Sequence, residues 1–380
     1  MKQTVRKNKS LLFAITLLTV MGLNLWYFTA SNKIKAQNED SKESEQNVVE
    51  TTLVATRACF DFTGSGRTSF AVVNPVGSGS GAQLAWTIYS NPSIGTPSPV
   101  VVGYGYGLQS DVLTPGYFVS PSGPYPPSTA DTVADLGVWR PGNQTYYFQQ
   151  PPSGNIYPVS LGTSSSDIVG LEADYDGDGK DDPTVVKVVG GSYQWNIFRT
   201  SNSTLLVTIF GSTSTDIPIA GADYNGDGKE DLTVIRSGNT YVVGDAATGN
   251  LILTQPWGNS ATDYFVIGDY IGDARADFAV WRGFGSSSDG RWYIRENGGS
   301  NVVITQPFGL KNIPGSQNTK DFDQPLCGDY NGDGKSDPAI YRPGADTFYW
   351  LNSGSFTTPS NFTLPVSNTR DFAIPRLRAY

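Results

Sequence analysis

The sequence of 380 residues contains no histidine, and this absence excludes several common kinds of active site. A Ser-His-Asp or Cys-His nucleophile, a His-ligated zinc ion and an imidazole general base all need the missing side chain. Charged residues are also scarce, at 16%, which excludes a coiled coil or a protein built of long helices. Any catalysis would therefore use carboxylates, tyrosine, lysine or a bound metal ion.

Glycine and proline are abundant instead, with 43 and 24 residues, and they indicate a chain rich in turns and loops. Hydrophobic residues make up 38% of the sequence and aromatic residues 12%. This apolar content is enough to bury a core, so the composition argues against a disordered protein.

The charge is acidic and unevenly distributed. The formal net charge of −9 becomes −15 once the six basic residues of 1–36 are set aside, because that segment has no acidic residue. An acidic body repels nucleic acids and anionic membrane surfaces. The balance predicts no nucleic-acid partner and suits a protein that binds cations.

The N-terminal segment predicts export. Its basic start is followed by an apolar run from Leu11 to about Ala30, as in a signal peptide, although the run is also long enough for an uncleaved signal anchor. Either interpretation of residues 1–36 places the remainder outside the cytoplasm, either secreted, periplasmic or at the cell surface. Membrane contact is expected only through such an anchor. Residues 37–52 are polar and acidic and predict a disordered linker.

An acidic segment recurs along the rest of the chain. Four copies align without gaps: DYDGDGKDDPTVVK from Asp174, DYNGDGKEDLTVIR from Asp223, DYIGDARADFAVWR from Asp269 and DYNGDGKSDPAIYR from Asp329. A fifth copy from Asp61 is eroded, and a sixth survives only as its tail from Asp135. Self-similarity at this period is typical of repeat architectures.

Four short β patterns follow one another in each unit, and they predict an all-β propeller over residues 53–380. Six four-stranded blades are expected, from units that begin near residues 61, 127, 174, 223, 269 and 329. Seven is the alternative, because residues 53–60 could form a strand of their own. The tail from Asp371 to Pro375 repeats only the strand that opens a unit, so we expect it to close the ring against the first unit.

Several positions recur in the units and are expected to be structural. An aromatic residue on the second strand of each unit predicts packing between blades: Trp86, Tyr147, Trp195, Tyr241, Trp292 and Tyr349. A basic residue that ends the first strand and an aspartate that opens the last predict ion pairs or hydrogen bonds: Arg140, Lys187, Arg236, Arg282 and Arg342, with Asp167, Asp216, Asp263, Asp321 and Asp371.

The two cysteines occupy matching places. Cys59 lies two residues before Asp61, and Cys327 lies two residues before Asp329. A closed ring makes the first and last units neighbours, so this placement predicts a disulfide that secures the closure, with two buried free thiols as the alternative. An exported chain would allow such a bond to persist.

The acidic loop has the ligand pattern of a calcium site. In D-x-[DN]-x-D-G-K-x-D, side-chain oxygens fall at positions 1, 3, 5 and 9 with the carbonyl of position 7 between them, and oxygen-only ligation favours Ca²⁺. An EF-hand is excluded because its Glu at position 12 is replaced by Val185, Val234 and Ile340. The alternative is an acidic turn that holds no metal. The three intact loops would supply Asp174, Asp176, Asp178, the Lys180 carbonyl and Asp182; Asp223, Asn225, Asp227, the Lys229 carbonyl and Asp231; and Asp329, Asn331, Asp333, the Lys335 carbonyl and Asp337.

Two copies of the loop depart from this pattern. The fourth keeps Asp269, Asp273 and Asp277 but has Ile271 at position 3 and Ala274 in place of a glycine. We expect weak or no binding there, so the count is about three calcium sites with a fourth left open. The loop from Asp61 is expected to be free of metal.

These phrases resemble the FG-GAP and VCBS-type repeats of integrin-like β-propellers, notably FGSTSTDIPIAGADYNGDGKED and SLGTSSSDIVGLEADYDGDGKDD. The resemblance covers most of residues 53–377 and implies calcium-binding loops on one face and a role in extracellular recognition or adhesion. Some relatives are lectins or carbohydrate-active enzymes. The first two units depart from the family pattern because they lack an intact metal loop.

The resulting hypothesis is an exported, calcium-binding, non-enzymatic module for a protein or glycan partner. The alternative is a carbohydrate-active enzyme, a polysaccharide lyase or hydrolase on a propeller scaffold, although no catalytic residue is assigned. Residues 91–130 form an insertion found in one unit only, as do 283–291 and 309–319. The first of these predicts either a ligand-contacting surface loop, through Tyr104, Tyr106, Tyr117 and Tyr125, or a cover over a blade edge.

Overall fold

The computed structural model describes residues 58–119, 131–152, 154–283, 289–299, 302–310, 323–353, 355–365 and 372–374. The predicted signal segment 1–36 and linker 37–52 lie outside these residues. The described part is almost entirely β, and it contains one short 3₁₀ turn at Pro343–Ala345. In these same stretches we find no helix with the length and apolarity that a membrane crossing requires.

The strands form six antiparallel sheets, which we number as blades 1 to 6 in chain order. Blade 1 contains β1 (Phe70–Val76), β2 (Gln83–Tyr89), β3 (Pro99–Leu108) and the C-terminal β23 (Phe372–Ile374). Blade 2 contains β4 (Val112–Leu113), β5 (Leu136–Arg140), β6 (Thr145–Gln149) and β7 (Tyr157–Ser160). Blade 3 contains β8 (Thr184–Val189), β9 (Ser192–Arg199) and β10 (Thr204–Ser212), with a single bridge between Ile168 and Val186 in the place of its first strand.

The last three blades are regular four-stranded meanders. Blade 4 contains β11 (Asp216–Ala222), β12 (Asp231–Arg236), β13 (Thr240–Gly244) and β14 (Leu251–Pro256). Blade 5 contains β15 (Asp263–Val266), β16 (Phe278–Arg282), β17 (Asp289–Arg295) and β18 (Val302–Leu310). Blade 6 contains β19 (Gln324–Leu326), β20 (Ala339–Arg342), β21 (Thr347–Leu351) and β22 (Pro359–Thr363).

The blades form a closed ring. The first strands of successive blades contact one another, since β15 contacts β19 and β19 contacts β23. Six clusters of buried hydrophobic residues each join one pair of neighbouring blades, including the pair formed by blades 6 and 1. This is a six-bladed β-propeller, and the prediction of six blades is confirmed.

Two links close the ring between its first and last elements. Strand β23 pairs antiparallel with β1, with Ala373 opposite Val72, which confirms the predicted role of the C-terminal tail. Cys59 and Cys327 form a disulfide with their Cα atoms 6.2 Å apart. The predicted disulfide is therefore confirmed, and the alternative of two free thiols is wrong.

The recurrent aromatic residues pack between blades. Trp86, Trp195, Tyr241 and Trp292 are completely buried, as predicted. The remaining two, Tyr147 and Tyr349, are half-buried. Each lies under an arginine guanidinium, 4.9 Å from the ring centre, and so contributes a cation–π contact.

A salt bridge between an arginine and a buried aspartate lies at four junctions between blades. The arginine that ends the second strand of a blade pairs with the aspartate just before or at the start of the first strand: Arg140 with Asp111, Arg236 with Asp216, Arg282 with Asp263 and Arg342 with Asp323. The same carboxylate accepts a backbone N–H from the end of the preceding blade, as Asp216 does from Ser212 at 2.9 Å. Each pair therefore ties two blades together.

The observed arginine–aspartate salt bridges correct two predicted positions. The partner of Arg342 is Asp323 rather than Asp321, which lies outside the described residues together with Asp371. Asp111, the partner of Arg140, did not figure in the prediction. Asp323 lies six residues before Asp329, as Asp263 lies before Asp269, and this spacing identifies it as the repeated aspartate.

The described part of the predicted insertion 91–130 includes two strands of the propeller. It contains β3, the last strand of blade 1, and β4, the first strand of blade 2. Blade 2 begins at Asp111, as blade 4 begins at Asp216 ahead of its loop at Asp223, and the predicted start of the second unit near residue 127 lies outside the described residues. The phrase YGLQSD that ends at Asp111 matches FGSTSTD that ends at Asp216, so the junction between blades has the same form in both places.

Candidate metal centres

Every acidic loop holds its first carboxylate with backbone amides. In the loop of blade 3, Gly177 N–H donates to Asp174 Oδ1 and Gly179 N–H to Asp174 Oδ2, both at 2.8 Å. The same pair of contacts recurs at Asp223, Asp269 and Asp329. The two glycines have φ of +80° and +85°, in the left-handed region that glycine adopts most easily. The amides thus position this carboxylate before any ion binds.

The loop of blade 3 gathers its carboxylates most closely. Ligand oxygens of Asp174, Asp176 and Asp182 all lie within 4.8 Å of one another. Asp176 Oδ1 and Asp182 Oδ2 are buried and have no hydrogen-bond partner. Buried polar atoms are almost always partnered, and a bound ion is one of the standard explanations for an exception. The residues present therefore fit a hard cation held by oxygen atoms.

The electrostatics of this loop point the same way. Burial, together with the neighbouring Asp176 carboxylate, raises the pKa of Asp182 to about 9. Burial and Asp176 also raise the pKa of Asp178. Without a cation, the cluster must keep protons or suffer repulsion among its carboxylates.

The loops of blades 4 and 6 have an asparagine at position 3. Burial raises the pKa of Asp231 and of Asp337 to about 7, with further contributions from the carboxylates at positions 1 and 5. The side-chain amide of Asn225 donates to Asp227 and Asp231, and Asn331 donates to the matching pair. To act as a ligand, each asparagine would have to turn its amide oxygen toward the ion.

The blade 5 loop keeps the same backbone with fewer ligands. Ala274 N–H donates to Asp269 Oδ2 at 2.8 Å, although Ala274 adopts a φ of +66° where the other loops have glycine. Ile271 places no oxygen at position 3. Burial raises the pKa of Asp277 to about 7. The conformation of the loop is therefore set by the amide contacts and not by a full set of ligands.

The loops of blades 1 and 2 are modified further. Thr63 N–H and Gly66 N–H donate to the Asp61 carboxylate, so backbone amides hold the first carboxylate of this loop as well. Hydroxyl side chains replace the other ligands of the calcium pattern. In blade 2, Tyr117 stands where position 1 would be, because Phe118 N–H donates to Asp135 Oδ2 as Tyr224 N–H does to Asp231 Oδ2 in blade 4.

The four tyrosines proposed as ligand contacts occupy different settings. Tyr117 is buried, and its hydroxyl donates to the Ala58 carbonyl at 2.5 Å. Tyr106 is also buried. Tyr104 is half-buried and donates to the side chain of Gln149 at 3.0 Å. Tyr125 lies outside the described residues. Tyr106 and Tyr117 thus serve the interior of the fold and not an open surface.

Three hydroxyl residues near the acidic loops were missed in the sequence. Thr200 Oγ1 lies 3.1 Å from carboxylate oxygens of both Asp178 and Asp182, and Ser201 Oγ donates to Asp176. In blade 6, Ser353 Oγ donates to Asp333 at 2.8 Å. These residues come just after β9 and β21, which are the second strands after the acidic loops of their blades. A small polar residue at this place in the sequence was the signal that could have identified them.

The loops are linked into a continuous ring by main-chain hydrogen bonds. The N–H at position 8 of each loop donates to the carbonyl at position 1 of the preceding blade, at 2.7 to 2.9 Å. The six bonds run from Ala134 to Asp61, Asp181 to Tyr117, Glu230 to Asp174, Ala276 to Asp223, Ser336 to Asp269 and Thr68 to Asp329. Each metal loop therefore rests directly on its neighbour.

A cavity of about 160 Å³ lies among these loops. Loops of blades 3 to 6 and Cys59 line it, with the carboxyl-bearing residues Asp174, Asp223, Glu230 and Asp269. None of the described lining residues is basic. The described residues that line the cavity therefore include acidic side chains and no basic one.

Comparisons with known proteins assign no family to this chain. Neither the family models nor the curated proteins compared with this sequence match it. Solved structures with some similarity include apo AztD from Citrobacter koseri, at 11% identity over 80% of this chain and 89% of that chain, with a TM-score of 0.40. The WD40 domain of Toxoplasma gondii coronin is 13% identical over 83% and 75%, with a TM-score of 0.36. BamB from Moraxella catarrhalis is 11% identical over 77% and 87%, with a TM-score of 0.29.

Proposed function

We propose that this protein is an exported, calcium-stabilised propeller of the FG-GAP or VCBS type that recognises an extracellular protein or glycan without catalysing a reaction. The observation that carries the calcium proposal is the blade 3 loop. Three carboxylates converge there, and two of their buried oxygens have no hydrogen-bond donor. A cation is the partner that such oxygens lack.

Calcium is the cation that the donor set favours. The loops of blades 3, 4 and 6 offer carboxylate, amide and carbonyl oxygens and no nitrogen or sulfur ligand, which suits Ca²⁺ better than a transition metal. When bound, the ion would neutralise the carboxylates and cross-link positions 1 to 9 of the loop. We propose three such sites and a weaker fourth at Asp269, Asp273 and Asp277.

The disulfide supports export. A bond between Cys59 and Cys327 forms and persists in oxidising compartments, outside the reducing cytosol. The cavity among the loops is the concave surface that we propose for partner recognition.

Calcium binding should be tested by calorimetric titration together with thermal melting in calcium and in chelator. We expect about three bound ions and a large rise in melting temperature, since a site that binds only the folded state adds about 2.7 kcal/mol at a hundredfold excess over Kd. The variant Asp182→Asn should lose one ion. A wild-type protein that binds no calcium and melts at the same temperature in chelator would refute the proposal.

Recognition should be tested with a glycan array and a screen for polysaccharide cleavage, both in calcium. Binding without turnover supports a recognition module. Cleavage of a bound polysaccharide would instead support the carbohydrate-active enzyme, and would require a search for carboxylate or tyrosine catalysts.

A further inference from the structure

The contact between the loops of blades 3 and 4 runs in both directions, as it also does between blades 2 and 3, where the Asp181 carboxylate accepts the Tyr117 N–H. Glu230 N–H donates to the Asp174 carbonyl at 2.9 Å, as position 8 does in every loop. The Glu230 carboxylate also accepts the Asp174 N–H. One residue of blade 4, through its backbone N–H and its carboxylate, therefore holds both backbone groups of the first metal-binding residue in blade 3.

The corresponding residues in the next two blades lack this second contact. Position 8 is Ala276 in blade 5 and Ser336 in blade 6, and each makes the single main-chain bond to the loop before it. Alanine has no side-chain acceptor for a second one. A two-way contact also joins blade 3 to blade 2, but Tyr117 replaces the loop aspartate there, so the contact through Glu230 is the one that joins two intact metal loops.

Glu230 also lies between two predicted ligands of its own loop. The Lys229 carbonyl and the Asp231 carboxylate flank it in the sequence, so an ion in blade 4 would hold residues 229–231 in place. The stem of Lys229 in turn lies over the blade 3 loop, since a Cβ at Gly177 would come within 3.1 Å of Lys229 Cγ. Short, direct contacts therefore connect the two loops.

Blade 6 has no comparable neighbour. Its loop donates to the blade 5 loop, which lacks a position 3 ligand, and accepts from Thr68 of the blade 1 loop. We infer that Glu230 is a positioning residue for the blade 3 site, and that blades 3 and 4 bind calcium as a coupled pair while blade 6 binds independently. This inference rests on the proposed function, because it assumes that the three loops hold calcium.

The first test removes one ion at a time. Calorimetric calcium titrations are compared for the wild type, Asp227→Asn in blade 4 and Asp333→Asn in blade 6. Both variants should bind one ion fewer. Asp227→Asn should also weaken one remaining site by about five- to 150-fold, the range typical of coupling between sites, whereas Asp333→Asn should leave the remaining pair at wild-type affinity.

The second test changes only the positioning residue. Glu230→Ala should bind the same number of ions with one affinity reduced by about 10- to 100-fold, as for other residues that orient a ligand. Glu230→Gln keeps an oxygen acceptor and should recover much of that loss, which separates the hydrogen bond from the charge. Ser336→Ala, at the same position in blade 6, is the matched control and should change nothing.

The outcomes separate the two proposals. If every variant keeps its remaining sites at wild-type affinity, the coupling is overturned and calcium binding stands. A wild type that binds no calcium overturns both. Equal melting temperatures of the variants in chelator would show that a loss of affinity comes from the site and not from unfolding.

Discussion

At the scale of single residues, the backbone preorganises the first carboxylate of the acidic loops. Backbone amides hold Asp174, Asp223, Asp269 and Asp329 in the same way whether or not the remaining ligands are present. A missing ligand therefore leaves a folded loop with an incomplete site. This makes ligand replacement in the degenerate loop a clean experiment.

Ile271→Asn should restore a calcium site in blade 5. The substitution supplies an oxygen at position 3 of a loop that already has Asp269, Asp273 and Asp277. We expect calorimetric titration to show one more ion, or a large gain in affinity at the weakest site. Ile271→Ala is the control, because it removes the same side chain without adding a ligand. Identical titrations for the two variants would contradict the assignment of position 3.

The metal-free protein should lose stability as the pH rises from about 5 to 8. Burial raises the pKa of Asp231, Asp277 and Asp337 to about 7, above the ordinary value of 3.8. The folded state then binds more protons than the unfolded state in this window, so unfolding becomes easier as protons are removed. Calcium takes the place of these protons, and its stabilising effect should increase over the same range.

Melting temperatures measured across this range, in chelator and in calcium, test the sign of both effects. A metal-free melting temperature that rises steadily to pH 8 would show that these carboxyls do not control the stability.

At the scale of elements, the arginine–aspartate salt bridge connects the end of one blade to the start of the next. Burial raises the pKa of Asp216, but hydrogen bonds from Arg236 and Ser212 outweigh burial and hold that pKa below its usual value. The carboxylate is therefore charged, buried and dependent on its partners. Truncation of the arginine leaves that charge without its main partner.

Arg236→Ala should lower the free energy of unfolding by about 1 to 3 kcal/mol, because a hydrogen bond to a buried charged group is lost. Lys187→Ala is a natural control. It changes the matching position of blade 3, where no ion pair is found among the described residues, and should stay within about 0.5 kcal/mol of the wild type. Urea unfolding in calcium measures both. Equal losses would mean that the pair adds nothing to the junction.

Many of the strand positions could be predicted from the sequence. The spacing of DYNGDGKED-like phrases located β12, β16 and β20, because a strand must follow each loop. The start of blade 2 could not be placed in this way, because Tyr117 replaces the loop aspartate and the repeat is unrecognisable there. Thr200 and Ser353 were missed because they approach the loops from the far end of the next strand, a contact that only the antiparallel pairing reveals.

At the scale of the whole molecule, the ring is closed three times. Strand β23 completes blade 1, the disulfide joins Cys59 to Cys327, and Thr68 N–H donates to the Asp329 carbonyl. All three join blade 1, or the segment just before it, to residues from the C-terminal part of the propeller. The sequence predicted the first two, but it could not predict the third, which depends on the approach of two loops.

Replacing both cysteines by serine should lower the free energy of unfolding by about 2 to 5 kcal/mol, since the disulfide closes a very long loop in the unfolded chain. The wild type treated with a reductant should show the same loss, and the serine variant should be insensitive to reductant. Urea unfolding in calcium provides the measurement. A serine variant as stable as the oxidised wild type would mean that β23 and the loop contacts are sufficient for closure.

The place of β23 has a consequence for how the protein is made. Blade 1 is the first sheet to be synthesised and the last to be completed, because Phe372–Ile374 provides one of its strands. Until those residues emerge, β1 has an unpaired edge and the ring stays open. A nascent chain would therefore hold five blades and an incomplete one until β23 emerges, so chaperones that shield strand edges should matter most in that interval.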